Sequence, residues 1–164
     1  MKLSYSMKRI SDLLDWIMVR VVFIGIVGMI ISITLQIIFR VFFSALVWTE
    51  EAARYLLIWS SFLGATLAYK RKMHIAVTFG VEQLPRKLKK VVMLLSIVLS
   101  MFFFGVCAYY GLELIKMQIF QLSPALRLPM KYVYLGIPLS FAIMFIHGLA
   151  FLFEMLTKHG EVEV

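Results

Sequence analysis

The sequence predicts an all-α integral membrane protein with four transmembrane helices and short interfacial amphipathic helices. Of its 164 residues, 62% are hydrophobic, and the mean hydropathy is +0.92. A soluble domain is about 45–50% apolar, and a core of this size cannot bury the excess, so lipid must solvate much of it. The apolar runs do not alternate as barrel strands do, and backbone groups in lipid must bond within their own segment, so helices are expected.

We predict spans at about residues 17–40, 50–70, 89–115 and 130–156, in a single domain of residues 1–164. The first span contains 19 consecutive uncharged residues, 21–39, which rise about 28 Å as a helix and match the hydrocarbon thickness. The second apolar run covers only residues 55–69, so it reaches span length only if its helix begins near Thr49.

Lysine and arginine are distributed unevenly between the two sides of the membrane. The N-terminal segment, the loop between spans two and three and the C-terminal tail together hold 12 of the 17, and the other side holds five. The positive-inside rule therefore predicts cytoplasmic termini and a cytoplasmic middle loop. This distribution also accounts for the net charge of +8 without nucleic acid as a partner, since basic residues fix topology and meet anionic headgroups.

Three stretches lie outside the spans without being simple loops. Residues 3–17 carry apolar side chains at helical spacing with charges between them, which predicts an amphipathic helix at the interface. Residues 41–48 are apolar but follow Arg40. Joining them to span one would bury that arginine at a cost of about 2.5–3.5 kcal/mol, so we expect them to lie along the outer interface. Residues 73–84 are a mixed stretch on the cytoplasmic side.

The segment WTEEAARYLLIW, residues 48–59, places three charged residues at the start of an apolar run. Thr49 can cap the helix there, and acidic residues in a first turn suit its dipole. Glu50 and Glu51 lie four and three residues before Arg54, within reach of ion pairs. The segment is therefore either a capped, neutralised helix end or a polar contact with a partner subunit or lipid, and the two are compatible.

Small and polar residues form stripes on spans one and two. Gly28, Ser32 and Gln36 are spaced by four and share a helix face, as do Ser60, Gly64 and Ala68. Such stripes permit close helix packing, and a buried amide can bond across them. The alternative is a polar pathway, which usually requires ionisable groups within the membrane. We therefore predict helix packing.

His147 lies inside span four, where an ionisable residue raises a functional hypothesis. It is either a helix-contact residue or one ligand of a haem. Bis-histidine ligation would require a second histidine at a similar depth, and His74 and His159 lie outside the spans, so helix contact is favoured. His74 follows the basic KRK run and is either an interfacial packing residue or a contact with a partner.

Prolines and one further pair of charges mark the second half of the chain. Pro124 suits a turn, and Pro129 suits the first turn of a helix. Pro138 lies within span four and should kink it. Glu113 and Lys116 are three residues apart at the end of span three and can pair locally.

Residue patterns that carry chemistry are missing from the sequence. No carboxylate lies deep in a span, and there is no phosphate-binding loop, nucleophile–base constellation or metal-ligand cluster. The single cysteine, Cys107, excludes an intramolecular disulfide. We therefore predict no catalytic, cofactor-binding or metal-binding residue, and no enzyme. A transporter that carries substrate alone would show broken helices at mid-membrane and an inverted repeat, which these spans do not supply.

Four stretches together resemble the small membrane subunit of tripartite ATP-independent periplasmic (TRAP) transporters, the DctQ-like family. They are LQIIFR (35–40), WTEEAARYLLIWSSFLGATLAYKRKMHI (48–75), LPRKLKK (84–90) and SPALRLPMKYVYLGIPLSF (123–141). The resemblance covers most of the chain from span one onward, and the motifs are specific in combination. The stretch AVTFGVEQLP after the His-Ile pair departs mildly from the short polar or acidic stretch that is usual in the family.

The resemblance implies a four-helix scaffold subunit in the bacterial inner membrane. It would bind a large membrane transporter subunit and work with a periplasmic substrate-binding protein, importing an organic acid such as sialic acid or a C4-dicarboxylate on a sodium gradient. Phospholipid is a further expected partner. The residues that we predict for partner or lipid contact are Gln36, Arg40, Trp48, Glu50, Glu51, Arg54, Trp59, His74, Pro124 and Pro129.

Two other classes of function are alternatives. A membrane anchor subunit of a redox complex would need cofactor ligands, and only His147 is placed for that role. A small self-assembling exporter would need an acidic residue within the membrane, and none is visible deep in the spans.

Overall fold

The computed structural model describes residues 2–71 and 85–157, and regular structure in these ranges is helical. The helices are α1 (Lys2–Phe42), α2 (Val47–Lys70), α3 (Arg86–Met117), α4 (Met130–Tyr134) and α5 (Gly136–Thr157). The prediction of an all-α membrane protein is confirmed. The mixed stretch at 73–84, with His74, lies outside the described residues.

Within residues 2–71 and 85–157, three segments are long and apolar enough to cross a membrane: Tyr5–Phe42 in α1, Leu88–Met117 in α3, and Met130–Leu156, which joins α4 and α5. Helix α2 has 24 residues and would measure about 36 Å, which is also sufficient to span. However, it carries charged residues at both ends, which lower its mean hydropathy. The assignment of α2 as the fourth span stays a prediction.

The N-terminal amphipathic segment is continuous with span one. Residues 3–17 do not form a separate interfacial helix, which corrects that prediction, because they are the first part of the 41-residue helix α1. No proline or glycine occurs before Gly25 to interrupt the backbone hydrogen bonds. At 1.5 Å per residue α1 is about 60 Å long, twice the hydrocarbon thickness, so much of it must lie outside the hydrocarbon.

The link between α1 and α2 is shorter than predicted. Helix α1 continues to Phe42 with Arg40 exposed in its last turn, where a cation suits the helix dipole. Only residues 43–46 are non-helical, so the stretch 41–48 does not lie as one segment along the interface. The N-cap of α2 is Leu46, which has no side-chain cap bond. Thr49 is therefore not the cap: its hydroxyl donates to the Leu46 carbonyl at 2.7 Å.

Helix α5 occupies the centre of the assembly. It packs against α1, α2 and α3, and α1 and α2 also pack extensively against each other. One buried cluster joins α1, α2 and α5 through Met18, Leu63 and Ile143. A second joins α2, α3 and α5 through Tyr69, Phe104 and Met144, in which the Tyr69 and Phe104 rings meet edge to face at 4.9 Å.

Near the predicted kink at Pro138, the helix of span four is interrupted at Leu135, between α4 and α5. Helix α4 ends at Tyr134 and α5 begins at Gly136. Pro138 has no N–H to donate to the carbonyl of Tyr134, four residues earlier, and its ring crowds that carbonyl. Gly136 then lets the chain approach α2 closely, because a Cβ there would lie 3.3 Å from the Trp59 ring.

Candidate functional site

The connection between α3 and α4 is a compact loop of residues 118–129, called here the hairpin loop. The Ser123 amide donates to the Leu128 carbonyl at 2.9 Å, and the Met130 amide donates to the Gln121 carbonyl at 2.9 Å. The Ser123 hydroxyl accepts from the Leu128 amide at 3.1 Å. These bonds hold the two sides of the loop together, as a turn at Ser123–Pro124 would require.

Glu51 fixes the hairpin loop to the start of α2. Its carboxylate accepts the backbone amides of Ala125, at 2.9 Å, and Leu126, at 2.7 Å. The hydroxyl of Tyr55, one turn further along α2, also donates to it. Glu51 is only 8% exposed. A buried carboxylate bonded by three donors is satisfied and rigid, so the loop presents a defined surface.

Of the two predicted ion pairs of Arg54, the structure contains the one with Glu50. Arg54 Nη2 lies 2.9 Å from Glu50 Oε1, and both side chains are well exposed. Glu51 turns to the other side of the helix and pairs with the hairpin loop instead. Adjacent residues on a helix differ by about 100° in direction, so two neighbouring acids face different surroundings. The exposed pair contributes little stability, whereas Glu51 organises a loop.

Most of the other predicted contact residues that the structure describes lie near this end of the helices. Trp48 and Arg40 are exposed, Gln36 is half-buried on α1, and Trp59 packs beside the Met18, Leu63 and Ile143 cluster. Pro124 is exposed in the hairpin loop, and Pro129 is the N-cap residue of α4 rather than within its first turn. The structure thus brings together Glu51 and the loop that contains Pro124.

The small-residue stripes serve helix packing at some positions only. A Cβ at Gly28 would lie 3.3 Å from the Leu56 side chain, so this glycine permits close contact of α1 with α2. The Ser32 hydroxyl bonds the Gly28 carbonyl of its own helix at 2.9 Å rather than a neighbouring helix. Gly64 has open space where a Cβ would be, so it is not a packing glycine in this chain.

A polar cluster that the sequence did not reveal joins three helices at the opposite end. It comprises Ser11, Asp12 and Asp15 of α1, Lys70 and Arg71 at the end of α2, and His147 of α5. Lys70 Nζ lies 2.5 Å from the Ser11 hydroxyl and 2.8 Å from Asp12 Oδ1, and Arg71 lies 3.9 Å from Asp15. The sequence feature that could have indicated this cluster is the presence of two acidic residues, Asp12 and Asp15, within residues 3–17 and of two basic residues, Lys70 and Arg71, at the end of α2.

His147 is a helix-contact residue within this polar cluster. It is fully buried, and its Nδ1 lies 2.8 Å from the Ser11 hydroxyl. The Ser11 hydroxyl therefore lies between Lys70, which donates to it, and His147 Nδ1. Within residues 2–71 and 85–157, His147 is the only histidine, and no group of three potential metal ligands is found.

Comparison with known proteins places the chain in one family. The family model for the DctQ component of tripartite ATP-independent periplasmic transporters matches residues 29–158. The isethionate TRAP transporter permease protein DctMQ of Oleidesulfovibrio alaskensis is 34% identical over 129 residues, which are 73% of this chain and 20% of the relative. The sialic acid TRAP transporter permease protein SiaT of Haemophilus influenzae is 35% identical over 85 residues, 51% of this chain and 13% of the relative.

A shorter relative matches as well. The C4-dicarboxylate TRAP transporter small permease protein DctQ of Rhodobacter capsulatus is 28% identical over 101 residues, 60% of this chain and 44% of the relative. The chain therefore spans a fifth or less of two of these relatives and under half of the third. Membership of a transporter family agrees with the expectation that the chain is not an enzyme. Its apolar helices and the match over residues 29–158 show that this multi-pass inner-membrane protein belongs to the DctQ family of TRAP transporter components.

Proposed function

We propose that the chain is the small scaffold subunit of a TRAP transporter that imports an organic acid. It acts with a large membrane subunit and a periplasmic substrate-binding protein, and a sodium gradient drives uptake. The observation that carries the proposal is the DctQ match over residues 29–158, which covers all four predicted spans in whole or in part.

A scaffold role fits the helices. The only break within a predicted span of the described residues is at Leu135, near the end where the hairpin loop lies, rather than at mid-membrane where transporters bind substrate. Hydrogen bonds connect the helices at both ends of the helix bundle: Glu51 binds the hairpin loop at one end, and Lys70 binds Ser11 and Asp12 at the other. Such hydrogen bonds suit a subunit that keeps its shape while another part of the transporter moves.

A large membrane partner is supported by exposed apolar surface and by the relatives. Helix α1 exposes bulky side chains along its length, including Phe23 and Ile24, each about two-thirds exposed. Helix α3 does so as well, with Phe102 at 70%. Two permease relatives are several times longer than the part that this chain matches. We propose that a large subunit and lipid share these faces, since patches of this extent mark partner or membrane contact.

The hairpin loop is proposed as part of the surface that meets the substrate-binding protein. On the predicted orientation it faces the periplasm, together with Glu50, Arg54 and Trp48. Exposed charges beside an aromatic ring on a rigid support are typical of a recognition surface that relies on electrostatic complementarity. The substrate would be an anion: the relatives are named for isethionate, sialic acid and C4-dicarboxylates.

Co-purification tests the proposal directly. The tagged chain is co-expressed with the large membrane subunit of the same transport system and solubilised in mild detergent, with an unrelated four-span protein as control bait. We expect the large subunit to elute with this chain and not with the control. Separate elution of two well-inserted subunits would contradict the proposal, and a haem absorbance band in the purified chain would favour a redox anchor.

Reconstitution tests the driving ion. Proteoliposomes that contain both membrane subunits and receive the binding protein should accumulate the organic acid when an inward sodium gradient is imposed. A potassium gradient of equal size is the control. Uptake that is the same under both gradients would contradict sodium coupling while leaving the subunit assignment intact.

A further inference from the structure

Two arginines mark where α1 meets the membrane surfaces. Arg20 and Arg40 enclose 19 uncharged residues, and their separation of 20 residues corresponds to about 30 Å of helix. This matches the hydrocarbon thickness of a bilayer, so both guanidinium groups lie at headgroup level when α1 crosses it. Arg20 is at the surface nearer the N-terminus.

The acidic residues of this part of α1 have basic partners at the end of α2, and Arg20 has no acidic partner among the residues that the structure describes. Asp12 and Asp15 face the end of α2, where Lys70 lies 2.8 Å and Arg71 lies 3.9 Å away. Arg20 is exposed and has no ion-pair partner among the residues that the structure describes. The acids are thus neutralised within the protein, whereas Arg20 offers its charge to the surroundings.

Trp16 and Arg20 are in direct contact, one helical turn apart. The Arg20 guanidinium carbon lies 3.2 Å from the centre of the Trp16 ring system, and Arg20 Nη1 donates to the Trp16 carbonyl at 3.2 Å. Trp16 is itself 56% exposed. The ring and this hydrogen bond restrict the guanidinium, so less conformational entropy is lost when its other N–H groups bind a ligand.

We propose that Trp16 and Arg20 form a binding site for the phosphate of an anionic phospholipid in the leaflet nearer the N-terminus. Guanidinium donors bind phosphate oxygens in a bidentate manner, and an indole ring is favoured at the boundary between headgroups and acyl chains. A lipid fits this position better than a protein partner because the site pairs an unneutralised cation with an interfacial ring at headgroup depth. The site requires only that the chain is inserted in a membrane, so it is independent of the transport function.

The chain contains a matched control for this site. Arg9 lies over the Tyr5 ring at 5.2 Å, which repeats the pairing of a guanidinium with an aromatic side chain four residues earlier. Arg9 precedes Arg20 by 11 residues, about 16 Å along the helix axis, which places it beyond the headgroup layer of about 5–8 Å when α1 crosses upright. The two arginines therefore share a cation–aromatic pairing at i, i+4 but lie at different distances from the phosphates.

The test measures which lipids stay bound. The full chain is reconstituted in nanodiscs that contain equal parts of phosphatidylglycerol and phosphatidylcholine, extracted into detergent, and its retained lipids are quantified by mass spectrometry. We expect enrichment of phosphatidylglycerol in the wild-type chain. Arg20→Gln should lower that enrichment about five-fold, the effect of one basic residue at an anionic surface. Arg20→Lys should lower it less, because charge is retained and the bidentate geometry is lost.

Arg9→Gln should change the enrichment much less than Arg20→Gln. The proposal is overturned if phosphatidylglycerol is not enriched in the wild-type chain, if Arg20→Gln leaves enrichment unchanged, or if Arg9→Gln has an equal effect. The proposal is also overturned if Arg20→Gln no longer binds the large subunit but retains phosphatidylglycerol to the same extent as the wild-type chain. If Arg20→Gln does not insert, wild-type enrichment must still weaken when salt in the extraction buffer rises from about 0.1 M to about 1 M, which shortens the Debye length from about 10 to 3 Å.

Discussion

At the scale of single residues, the two adjacent acids of α2 have different roles. Glu50 pairs with Arg54 in solvent, where competition from water leaves the pair little net effect. Glu51 accepts two backbone amides of the hairpin loop and the Tyr55 hydroxyl, so its loss would leave those donors without their partner. The difference arises because successive side chains on a helix point in different directions.

We predict that Glu51→Ala loosens the hairpin loop and that Glu50→Ala does not. Removal of the carboxylate takes a charged acceptor from the amides of Ala125 and Leu126, so their hydrogen exchange should accelerate by about ten-fold or more. Hydrogen exchange read by mass spectrometry of peptides that cover residues 121–130 is the measurement. Equal protection of the loop in both variants would contradict the role assigned to Glu51.

If the hairpin loop receives the substrate-binding protein, Glu51→Ala should also impair uptake while insertion remains normal. Arg54→Ala should affect uptake less than Glu51→Ala, because Arg54 holds only the exposed Glu50. Uptake by the reconstituted complex is measured at equal expression. A Glu51→Ala variant with a loosened loop and wild-type uptake would separate the loop from docking and would refute the functional part of this prediction.

At the scale of helices, contact distance decides which glycines matter. Gly111 of α3 faces Pro138 of α5, and a Cβ there would lie 3.1 Å from the proline Cβ and Cδ and 3.3 Å from its nitrogen. Proline cannot rotate away, because its ring is fixed to the backbone. The close approach of α3 to the central helix therefore depends on the missing side chain at Gly111.

We predict that Gly111→Ala destabilises the packing of α3 on α5 by about 1–3 kcal/mol, the usual cost of forcing an extra carbon into a packed contact. Gly64→Ala is the matched control on α2, since no heavy atom lies within 4 Å of the position of its Cβ. That variant should be neutral or slightly stabilised, because alanine is the better helix former. Thermal unfolding in detergent compares the two, and an equal or higher melting temperature for Gly111→Ala would contradict the prediction.

At the scale of the whole molecule, hydrogen bonds hold the helices together at both ends of the bundle, around the central helix α5. Lys70, Ser11 and His147 connect α2, α1 and α5 in one hydrogen-bonded chain, and Glu51 connects α2 to the hairpin loop at the other end. Between these ends, α1 and α3 expose apolar faces that only lipid or another membrane protein can cover. These interhelical polar contacts therefore lie at the two ends of the helices, and the exposed apolar side chains lie between them.

The predicted orientation is testable with single cysteines. In a Cys107→Ser background, Gln121→Cys in the hairpin loop should react with a membrane-impermeant maleimide added to cells whose outer membrane has been made permeable. Tyr5→Cys should react only after the inner membrane is also opened, because the positive-inside rule places the N-terminus in the cytoplasm. The reverse pattern would contradict the orientation and would move the hairpin loop away from the periplasm.

The sequence by itself determined the properties that depend on local composition. Hydropathy predicts that lipid solvates the chain and that the spans are helical. The chemistry of the proline backbone predicts the helix break before Pro138, and residue spacing predicts the Glu50–Arg54 pair. The matched motifs also indicated the family. These features were predictable because each is set by residues that are near one another in the chain.

Only the tertiary structure decided which of the polar residues meet across helices. Glu51 reaches amides that lie 74 and 75 residues away, and Ser11 reaches a histidine 136 residues away. These contacts depend on how each helix is rotated and on where α5 inserts between its neighbours, and hydropathy does not specify either. The same reason explains why α1 was predicted with a separate interfacial helix: amphipathic spacing shows where charges lie along a helix, but a break requires a residue that interrupts the backbone.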